Sequence, residues 1–415
     1  MIGKGYTQRN LTMEEVREIC IEALDHFFRE RLRTLFIIPD HSRTAPIDVL
    51  FRMVYDYLAP QTDSVDFLIA LGTHPPMTDE MINDRVGITP EERLSRYPKA
   101  RFFNHHWNRP EQLACIGTLS ESEVAGLSNG LIQDSVDVTI NKMVLDYDQI
   151  VIIGPTFPHE VVGFSGGNKY LFPGISGAEI IDMFHWLGAL ITSMEIIGKK
   201  LTPVRAVVDR AASFLNIPVQ CMSLVVKGDQ LAGFYAGESE EAWRHAANLS
   251  EKLHIVYKAQ AFQNVLSCAP KMYDDLWTGA KCMYKLEPVV ADKGELIIYA
   301  PHITEVSVTH GRLIQQIGYH VRDYFLAQWD RFKMFPGGVL AHATHVKGIG
   351  DYQQEVERPR IEVTLATSIP PGICRQINLG YRDPDSVDPA EWMNREEEGV
   401  LYVQKAGEML YRLKK

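Results

Sequence analysis

The sequence predicts an α/β protein with two domains and largely parallel sheets. Short apolar runs rich in β-branched residues alternate with amphipathic stretches of helical period, which is typical of parallel sheets covered by helices. A chain of 415 residues, 46% of them hydrophobic and 23% charged, is long enough for two cores. We expect an N-terminal α/β domain over residues 1–255 and a C-terminal α/β domain over residues 256–394, with a tail, 395–415, that could pack back on the first.

Local patterns define the elements of the first domain. Thr12 and Glu15 form a capping-box pattern, which predicts a helix whose apolar face holds Val16, Ile19, Ala23, Leu24 and Phe27. The β-branched run 150–153 stops at Gly154, so it predicts a buried strand. We further expect strands at 34–39, 65–71 and 137–145, a hairpin of strands 219–227 and 231–235, and helices at 49–58, 79–86, 204–215 and 238–257.

The alternation of strands and helices starts again in the second domain. We expect strands at 265–269, 294–300, 339–346 and 361–367, helices at 274–289 and 308–332, and a tail, 396–413, that is a strand followed by a helix or a helical segment. Lys281 and Lys285 are one helical turn apart, and their default interpretation is a solvated face. His342 and His345 fall within one predicted strand on opposite faces, and we expect them, with His302 and His310, to be scaffold residues.

Composition and charge exclude several classes of protein. The net charge is −11 and no run of Lys and Arg occurs, which argues against nucleic acid and anionic membranes as partners. The first residues lack an apolar signal segment, and no apolar run approaches the ~20 residues of a membrane span. The six cysteines form no C-x-x-C pair, as expected for reduced thiols. We expect a cytoplasmic protein that acts on a small molecule.

Polar residues gather directly after predicted strands. Asp40 and Arg43 follow the strand 34–39, and His74 follows the strand 65–71. Ligands of parallel sheets bind at the carboxyl ends of the strands, so these residues predict a site there. The pair His105 and His106 could suggest a metal, but adjacent residues of a strand point to opposite faces, and we favour a polar loop.

The stretch from His159 to His185 is the most informative part of the chain. It contains a glycine-rich turn, Lys169, and a helix that Ser176 and Glu179 would cap, beginning near Gly177. Glycines alone could mark a plain tight turn, since such a loop is weak evidence of phosphate binding. Two histidines and a lysine around one loop that a strand and a helix both anchor favour a functional site.

Several motifs together carry a family resemblance. They are Asp40-x-x-Arg43, Gly72-Thr73-His74 followed by Pro76-Met77-Thr78, Pro158-His159 with Gly163-Phe164-Ser165-Gly166-Gly167-x-Lys169, and Pro173-Gly174-Ile175 with His185 downstream. The chain resembles the nickel-dependent lactate racemase family over essentially its whole length. The resemblance implies two α/β domains that enclose a nickel-pincer nucleotide, a nickel pyridinium-3-thioamide-5-thiocarboxylate mononucleotide, in the cleft between them.

The resemblance also implies a role for each residue of the motifs. Lys169 would hold the cofactor covalently through its thioamide, His185 would ligate nickel, and His74 and His159 would be the acid–base pair. The remaining roles are anion binding by Arg43 and Lys281, orientation of Arg43 by Asp40, and close approach of the backbone to the cofactor at Gly166 and Gly167. The implied reaction inverts C2 of a 2-hydroxy acid by reversible hydride transfer, and cofactor-synthesis proteins are the implied partners.

The chain departs from lactate-type members next to Lys281. Trp277 and Thr278 stand where those members have a Tyr-Gln pair, so we expect both residues to contact a substrate larger than lactate, such as an aldonate. Lactate or another short 2-hydroxy acid is the alternative substrate. A non-catalytic protein that stores or delivers the cofactor, and a Schiff-base role for Lys169, are the alternatives from other classes.

Overall fold

The computed structural model describes residues 1–28 and 32–414, and the chain divides into two compact units. Unit 1 comprises Met1–Phe157, Phe164–Ile181 and Arg205–Leu253, and unit 2 comprises Pro158–Gly163, Asp182–Val204 and His254–Lys415. The expected boundary near residue 256 lies close to the last change of unit. The structure groups 158–163 and 182–204 with unit 2, whereas the sequence placed both segments in the first domain. The domain ranges themselves stay a prediction.

The strands of the described chain are numbered in order. They are β1 (Ile2–Gly5), β2 (Thr34–Pro39), β3 (Val65–Ala70), β4 (Ala100–Asn104), β5 (Leu113–Leu119), β6 (Val136–Asn141), β7 (Gln149–Pro155), β8 (Pro158–His159), β9 (Gly163–Phe164), β10 (Val219–Lys227), β11 (Gln230–Glu238), β12 (Ile255–Lys258), β13 (Phe262–Cys268), β14 (Val290–Ala300), β15 (Gly350–Gln353), β16 (Val356–Pro359), β17 (Glu362–Thr367), β18 (Gly380–Tyr381), β19 (Val400–Val403) and β20 (Leu410–Leu413).

The α-helices are numbered in the same way. They are α1 (Met13–Phe27), α2 (Ile47–Leu58), α3 (Asp79–Val86), α4 (Pro90–Ser95), α5 (Glu121–Leu127), α6 (Ala178–Ile191), α7 (Ser193–Ile196), α8 (Pro203–Ala212), α9 (Ser239–His254), α10 (Leu276–Gly279), α11 (Lys281–Tyr284), α12 (Gly311–Ile317), α13 (Arg322–Ala327), α14 (Trp329–Phe332), α15 (Gly337–Lys347) and α16 (Pro371–Gln376). No helix in the described part of the chain is long and apolar enough to cross a membrane.

Unit 1 is built on a sheet of seven strands in the order β1-β11-β10-β7-β2-β3-β4. The five strands from β10 to β4 are parallel, whereas β11 and β1 are antiparallel to their neighbours. β2 and β7 are central, and their apolar residues are buried on both faces, which explains why each is a continuous apolar run. The predicted α/β class is confirmed.

Helix α1 illustrates how local sequence determines the layers of unit 1. The Thr12 hydroxyl accepts a hydrogen bond from the Glu15 amide, and the Glu15 side chain accepts one from the Thr12 amide, so the predicted capping box is present. The apolar face of α1 is buried in the core beside the sheet, as predicted. Full burial of one large aliphatic or aromatic side chain contributes about 1.5–3 kcal/mol, so this face fixes the helix in place.

Unit 2 contains a parallel sheet of five strands in the order β18-β17-β14-β13-β19. Both strands of the tail pair within this unit, β19 with β13 and β20 with β12. The described residues of the tail form strands and a 3-10 turn in place of the expected helix. Arg412 donates to the Ile197 carbonyl, a residue that the sequence placed in the first domain, and the return of the tail to that domain stays a prediction. Short β-strands separated by glycine and charged residues have little period for the sequence to reveal.

Three predicted elements of the second half are wrong in type or length. The predicted strand 339–346 is the helix α15, whose residues from Gly338 to Lys347 are all buried, so it lacks the polar face that reveals a helix. The predicted helix 308–332 is divided into α12, α13 and α14, with Gly318 at a φ of 72° after the first. The predicted helix 274–289 is broken into α10, α11 and a short 3-10 turn.

Besides β4, an edge strand of the large sheet, two strands of unit 1 were not predicted. β1 is short and forms the edge of the large sheet, where it pairs with β11. β5 pairs antiparallel with β6 outside that sheet, so the segment predicted as the strand 137–145 belongs to a separate two-stranded ribbon and ends in a 3-10 turn. Neither strand has the long apolar run that revealed the buried strands.

Candidate active site

Asp40 and His74 form a hydrogen-bonded pair in unit 1. Asp40 follows β2 and His74 lies in the loop after β3, and because these strands are parallel neighbours, both loops emerge at the same edge. The Asp40 Oδ2 atom is 2.5 Å from the His74 Nδ1 atom. The Ser42 amide and hydroxyl donate to Asp40 Oδ1 at 3.1 and 2.7 Å. Each carboxylate oxygen of Asp40 therefore has a defined partner.

The environment of Asp40 keeps this carboxyl group ionised. Its side chain is buried, which by itself would raise its pKa. The charges of His74 and Arg43, with the hydrogen bonds from His74 and Ser42, outweigh burial and hold the pKa of Asp40 well below its usual range. A carboxylate can only accept, so Nδ1 of His74 carries the proton, and in the neutral ring Nε2 keeps a lone pair. His74 is thereby prepared to act as a base.

Three further side chains surround Asp40 in unit 1. Arg43, Arg85 and Tyr170 interact electrostatically with it, and Tyr170 also interacts with both arginines. Arg85, near the end of α3, donates to the carbonyl oxygens of Pro39 and Ala45 at 3.3 and 3.4 Å. Its buried Nη2 atom has no hydrogen-bond partner within residues 1–28 and 32–414. Sequence reasoning missed Arg85 and Tyr170, because only the fold places them beside Asp40.

The glycine-rich loop of unit 1 is held by a buried arginine and tryptophan. Gly166 and Gly167 have φ angles of 88° and 59°, and a Cβ atom on Gly167 would lie 2.9 Å from the Cβ atom of Trp243. The Trp243 Nε1–H group donates to the Ser165 carbonyl at 2.9 Å, and Arg205, stacked on Trp243, donates to the Phe164 and Gly166 carbonyls. The glycines therefore have a packing role that the sequence did not suggest.

Lys169 lies on a 3-10 turn, Gly167–Tyr170, that follows this loop. Its neighbour Asn168 is clamped by two hydrogen bonds, to Asp209 at 3.0 Å and from Ser239 at 2.8 Å. The Lys169 carbonyl accepts from the Gly174 amide at 3.1 Å, so the backbone on both sides of the lysine is fixed. Lys169 itself is half-buried. The turn presents a lysine from a rigid loop.

His159 in unit 2 has a different environment from His74. Its side chain is buried, and the Val161 amide donates to its Nδ1 atom at 3.2 Å. The Glu160 Oε2 atom lies 3.3 Å from the same nitrogen. A neutral His159 that accepts from Val161 has its proton on Nε2, whereas the protonated ring can donate from Nδ1 to Glu160. Glu160 was not singled out in the sequence, although it directly follows His159.

His185 lies on α6, in the part of that helix that belongs to unit 2. It interacts electrostatically with His345 of α15. The helix begins at Ala178, close to the predicted start, but the Ser176 hydroxyl is buried and has no hydrogen-bond partner among the described residues. The prediction that the Ser176 hydroxyl caps α6 is therefore wrong.

Trp277, Thr278 and Lys281 lie on or next to α10 in unit 2. Asp275 caps this helix, and the Thr278 hydroxyl donates to it at 2.9 Å, so that hydroxyl has a local partner. Lys281 is buried, with its Nζ atom 4.5 Å from the ring centre of Tyr273. Lys285 is also buried and donates to the Glu408 carbonyl at 2.9 Å. The default interpretation of these lysines as a solvated face is wrong.

The structure brings some predicted site residues together and leaves others in separate units. Unit 1 holds Asp40, Arg43, His74, Gly166, Gly167 and Lys169, and unit 2 holds His159, His185, Trp277, Thr278 and Lys281. His342 and His345, expected to be scaffold on opposite faces of a strand, are three residues apart on one helix and therefore lie on the same side. His342 stacks on Trp277 with ring centres 4.1 Å apart.

His105 and His106 lie in the loop that follows β4, as the sequence predicted. His105 is buried, and its two ring nitrogens contact the Ser176 carbonyl at 2.9 Å and the Asn141 Nδ2 atom at 3.2 Å. Both contacts stabilise the turn before α6. Within the described ranges, no group of three or more His, Cys, Asp or Glu side chains is placed to hold a metal ion.

Comparison with known proteins gives two matches by sequence. A family model described as the lactate racemase N-terminal domain matches residues 11–196, which include Asp40, Arg43, His74, His159, Lys169 and His185. A lactate racemase of Thermoanaerobacterium thermosaccharolyticum is 24% identical over 270 residues, or 64% of this chain. The chain spans 59% of the length of that relative.

Two solved structures resemble the chain over nearly its whole length. A protein from Thermotoga maritima has a TM-score of 0.90 and 30% sequence identity, and the match covers 99% of this chain and 100% of that one. The lactate racemase apoprotein from Thermoanaerobacterium thermosaccharolyticum has a TM-score of 0.71 and 18% identity, with 99% of each chain covered. At that identity the second match shows a common fold.

Proposed function

Since this chain belongs to the lactate racemase-like family, we propose that it is a nickel-pincer-dependent racemase or epimerase that inverts C2 of a 2-hydroxy acid. The family itself supports an isomerase of the racemase type. The cofactor, the reaction at C2 and a substrate larger than lactate belong to the proposal. The observation that carries it is the Asp40–His74 pair, because it gives one of the two proposed bases a defined tautomer.

The residues present fit the proposed cofactor. Lys169 offers an amine from a fixed turn, and His185 offers an imidazole, which is a reasonable nickel ligand beside sulfur donors. The Thr156 hydroxyl is buried without a hydrogen-bond partner in the described chain, and a Cβ atom on Gly166 would lie 2.5 Å from its oxygen. In the proposal Lys169 holds the cofactor covalently, and His185 is the one protein ligand of nickel.

When bound, the cofactor would supply the acceptor for the hydride that leaves C2. The protein then has to move one proton in each direction. His74 takes the hydroxyl proton at Nε2, and Asp40 stabilises the resulting imidazolium through Nδ1. His159 takes the hydroxyl proton from the other hand of the substrate in the tautomer whose proton is on Nδ1, because Nε2 then carries the lone pair, and Glu160 accepts from that Nδ1–H group. Each histidine thus has its own carboxylate.

Cationic side chains are available for the carboxylate of a 2-hydroxy acid and for the phosphate of a nucleotide. Arg43 and Arg85 flank Asp40 in unit 1, and Lys281 is buried in unit 2. Burial lowers the pKa of Arg85, while the charge of Asp40 raises it, so Asp40 helps to keep this guanidinium charged. We assign the anion-binding role to these three residues. Arg85 extends the set that the sequence predicted.

The proposal includes the setting in which the protein works. Loading of the cofactor would require cofactor-synthesis proteins as partners. The cysteines described are all free thiols, which supports a reducing, cytoplasmic location.

The proposal is tested with protein produced together with cofactor-synthesis enzymes. Intact mass and nickel content establish loading, and chiral chromatography then follows 2-hydroxy acids from lactate to six-carbon aldonates. We expect a covalent adduct, about one nickel per chain and inversion at C2 of at least one acid. Loaded protein that inverts none of them, while passing the adduct to another protein, would favour the storage and delivery alternative. Trapping of a keto acid on Lys169 by borohydride would favour the Schiff-base alternative.

A further inference from the structure

Helix α15 of unit 2 carries a buried histidine with one unsatisfied nitrogen. His342 is 8% exposed, and its Nδ1 atom has no hydrogen-bond partner among the residues that the structure describes. Its Nε2 atom is 3.1 Å from the Trp277 carbonyl oxygen. A carbonyl can only accept, so Nε2 carries the proton and Nδ1 of the neutral ring carries a lone pair. The Nδ1 atom of His342 can therefore accept a hydrogen bond from a donor.

Tyr319 supplies a second unsatisfied group close to the first. Its side chain is fully buried, its ring centre lies 5.7 Å from that of His342, and its hydroxyl has no hydrogen-bond partner in the described ranges. The Tyr319 amide donates to the Ile377 carbonyl, and the Tyr319 carbonyl accepts from Asn378, so the backbone is fixed. A buried hydroxyl without a partner costs free energy, and a ligand that forms hydrogen bonds with both groups would remove that cost.

These groups adjoin the candidate site residues of unit 2. The Trp277 ring contacts two imidazoles, since it stacks on His342 and its centre is 4.5 Å from that of His310. α15 is joined to α6, the helix of His185, by the Gly338 amide, which donates to Asp182 at 2.8 Å. Glu160, the neighbour of His159, interacts electrostatically with His342. His342 and Tyr319 therefore lie close to residues of unit 2 that are proposed to take part in the reaction.

We propose that His342 and Tyr319 bind hydroxyl groups of the substrate beyond C2, which makes the substrate a polyhydroxylated 2-hydroxy acid. This inference rests on the proposed function and names its substrate class. The lone pair of His342 accepts from a sugar hydroxyl, and the Tyr319 hydroxyl either donates to another or accepts from it. Lactate offers only a methyl group in this direction, and it would leave both groups unsatisfied.

A dicarboxylic acid fits these residues less well. A carboxylate has no proton to donate to the lone pair of His342. Burial lowers the pKa of His342 to about 3, so the ring is neutral at pH 7 and offers no charge to a second carboxylate. The negative charge of Glu160 also disfavours a second carboxylate beside His342, because it repels an anion. Hydroxyl groups are therefore the better match.

The test compares two variants with a matched control. Tyr319→Phe removes one hydroxyl, and His342→Phe removes both ring nitrogens while keeping an aromatic ring against Trp277. Tyr97→Phe is the control, because the Tyr97 hydroxyl is also buried without a partner among the described residues but lies in the core of unit 1. The loaded enzyme is assayed with gluconate, galactonate and mannonate, and with lactate and malate for comparison.

We expect the wild-type enzyme to prefer an aldonate, and each site variant to lose roughly tenfold or more in kcat/KM for it, with lactate changed by less than about twofold. Tyr97→Phe should leave the ratio of the two acids unchanged. Equal losses for the aldonate and lactate would indicate a structural role and overturn the inference. A wild-type preference for lactate or malate would overturn it as well.

Calorimetric titration separates this inference from the proposed function. The same aldonates are titrated into wild-type and variant protein, without turnover. If loaded protein inverts no acid but binds an aldonate that Tyr319→Phe and His342→Phe fail to bind, the reaction is wrong and the hydroxyl site stands. If it inverts lactate but binds no aldonate, the reaction stands and the hydroxyl site is wrong. Absence of both activities would refute both.

Discussion

Replacement of Asp40 by Asn should reverse the tautomer of His74. The Ser42 amide and hydroxyl donate to the Oδ1 position at 3.1 and 2.7 Å, so they would hold the carbonyl oxygen of the new amide there. Its NH₂ group would then take the Oδ2 position, 2.5 Å from His74 Nδ1. That nitrogen would have to accept, which moves the proton of the neutral ring to Nε2 and removes the proposed base.

The expected loss of kcat is large. A positioned general base is worth ~10²–10⁴-fold, and the corresponding Asp-to-Asn change in a serine protease triad costs about 10⁴-fold. We therefore expect Asp40→Asn to lower kcat by ~10²–10⁴-fold while the adduct on Lys169 forms normally, as intact mass would establish. Epimerisation is measured by chiral chromatography with loaded enzyme at pH 7. A kcat within about threefold of the wild type would refute the orienting role.

Asp66→Asn is the matched control for this change. Asp66 is a buried carboxylate of the same unit, and it pairs with Arg101 and Tyr147 away from the candidate site. In the folded protein the pKa of Asp40 and that of Asp66 are both lowered. Each ionised carboxylate therefore stabilises the folded state at pH values above the unfolded pKa of ~3.9, and this stabilisation is lost as the pH falls towards the folded-state pKa. At pH 7 both variants should therefore have a lower melting temperature than the wild type. The difference in melting temperature between each variant and the wild type should be smaller near pH 3. Only Asp40→Asn should lower kcat.

Three other substitutions test the remaining roles. Lys169→Ala should abolish covalent attachment of the cofactor, because only an amine at this position can form the thioamide, and an adduct on the variant in intact-mass spectra would identify another anchor. His185→Ala should keep the adduct but lose nickel, so full nickel occupancy by metal analysis would exclude this ligand. His74→Ala and His159→Ala should each reduce inversion in both directions by ~10²–10⁴-fold, since one cycle needs both protonation sites. Normal inversion of either enantiomer in one of these variants would remove that histidine from the mechanism.

Several features were predictable because they depend on short stretches of chain. The strands β2, β3 and β7 are mainly apolar, with Pro or Gly at or shortly after their ends, and the parallel sheet follows from their alternation with helices. Asp40 and His74 could be placed near each other from this arrangement, since they follow neighbouring parallel strands. The direct hydrogen bond between them could not, because it depends on side-chain rotamers.

Other features depend on contacts between distant parts of the chain. α15 is buried on all sides, so its sequence lacks the period that distinguishes a helix from a strand, and His342 was therefore assigned to the wrong element. The default interpretation placed Lys281 on a solvated face because lysine side chains usually lie in solvent, whereas the structure buries this one against Tyr273. Arg85 lies in a segment without a motif, and only the close approach of α3 to Asp40 gives it a role.

Turnover of a 2-hydroxy acid deuterated at C2 tests the central claim most directly. The loaded enzyme converts the labelled acid in ordinary water, and mass spectrometry measures the label at C2 of the product. If the hydrogen of C2 leaves and returns as hydride while His74 and His159 handle only the hydroxyl proton, the inverted product keeps its deuterium. Loss of the label to water at the rate of inversion would mean that a base removes the C2 proton itself, which contradicts the account.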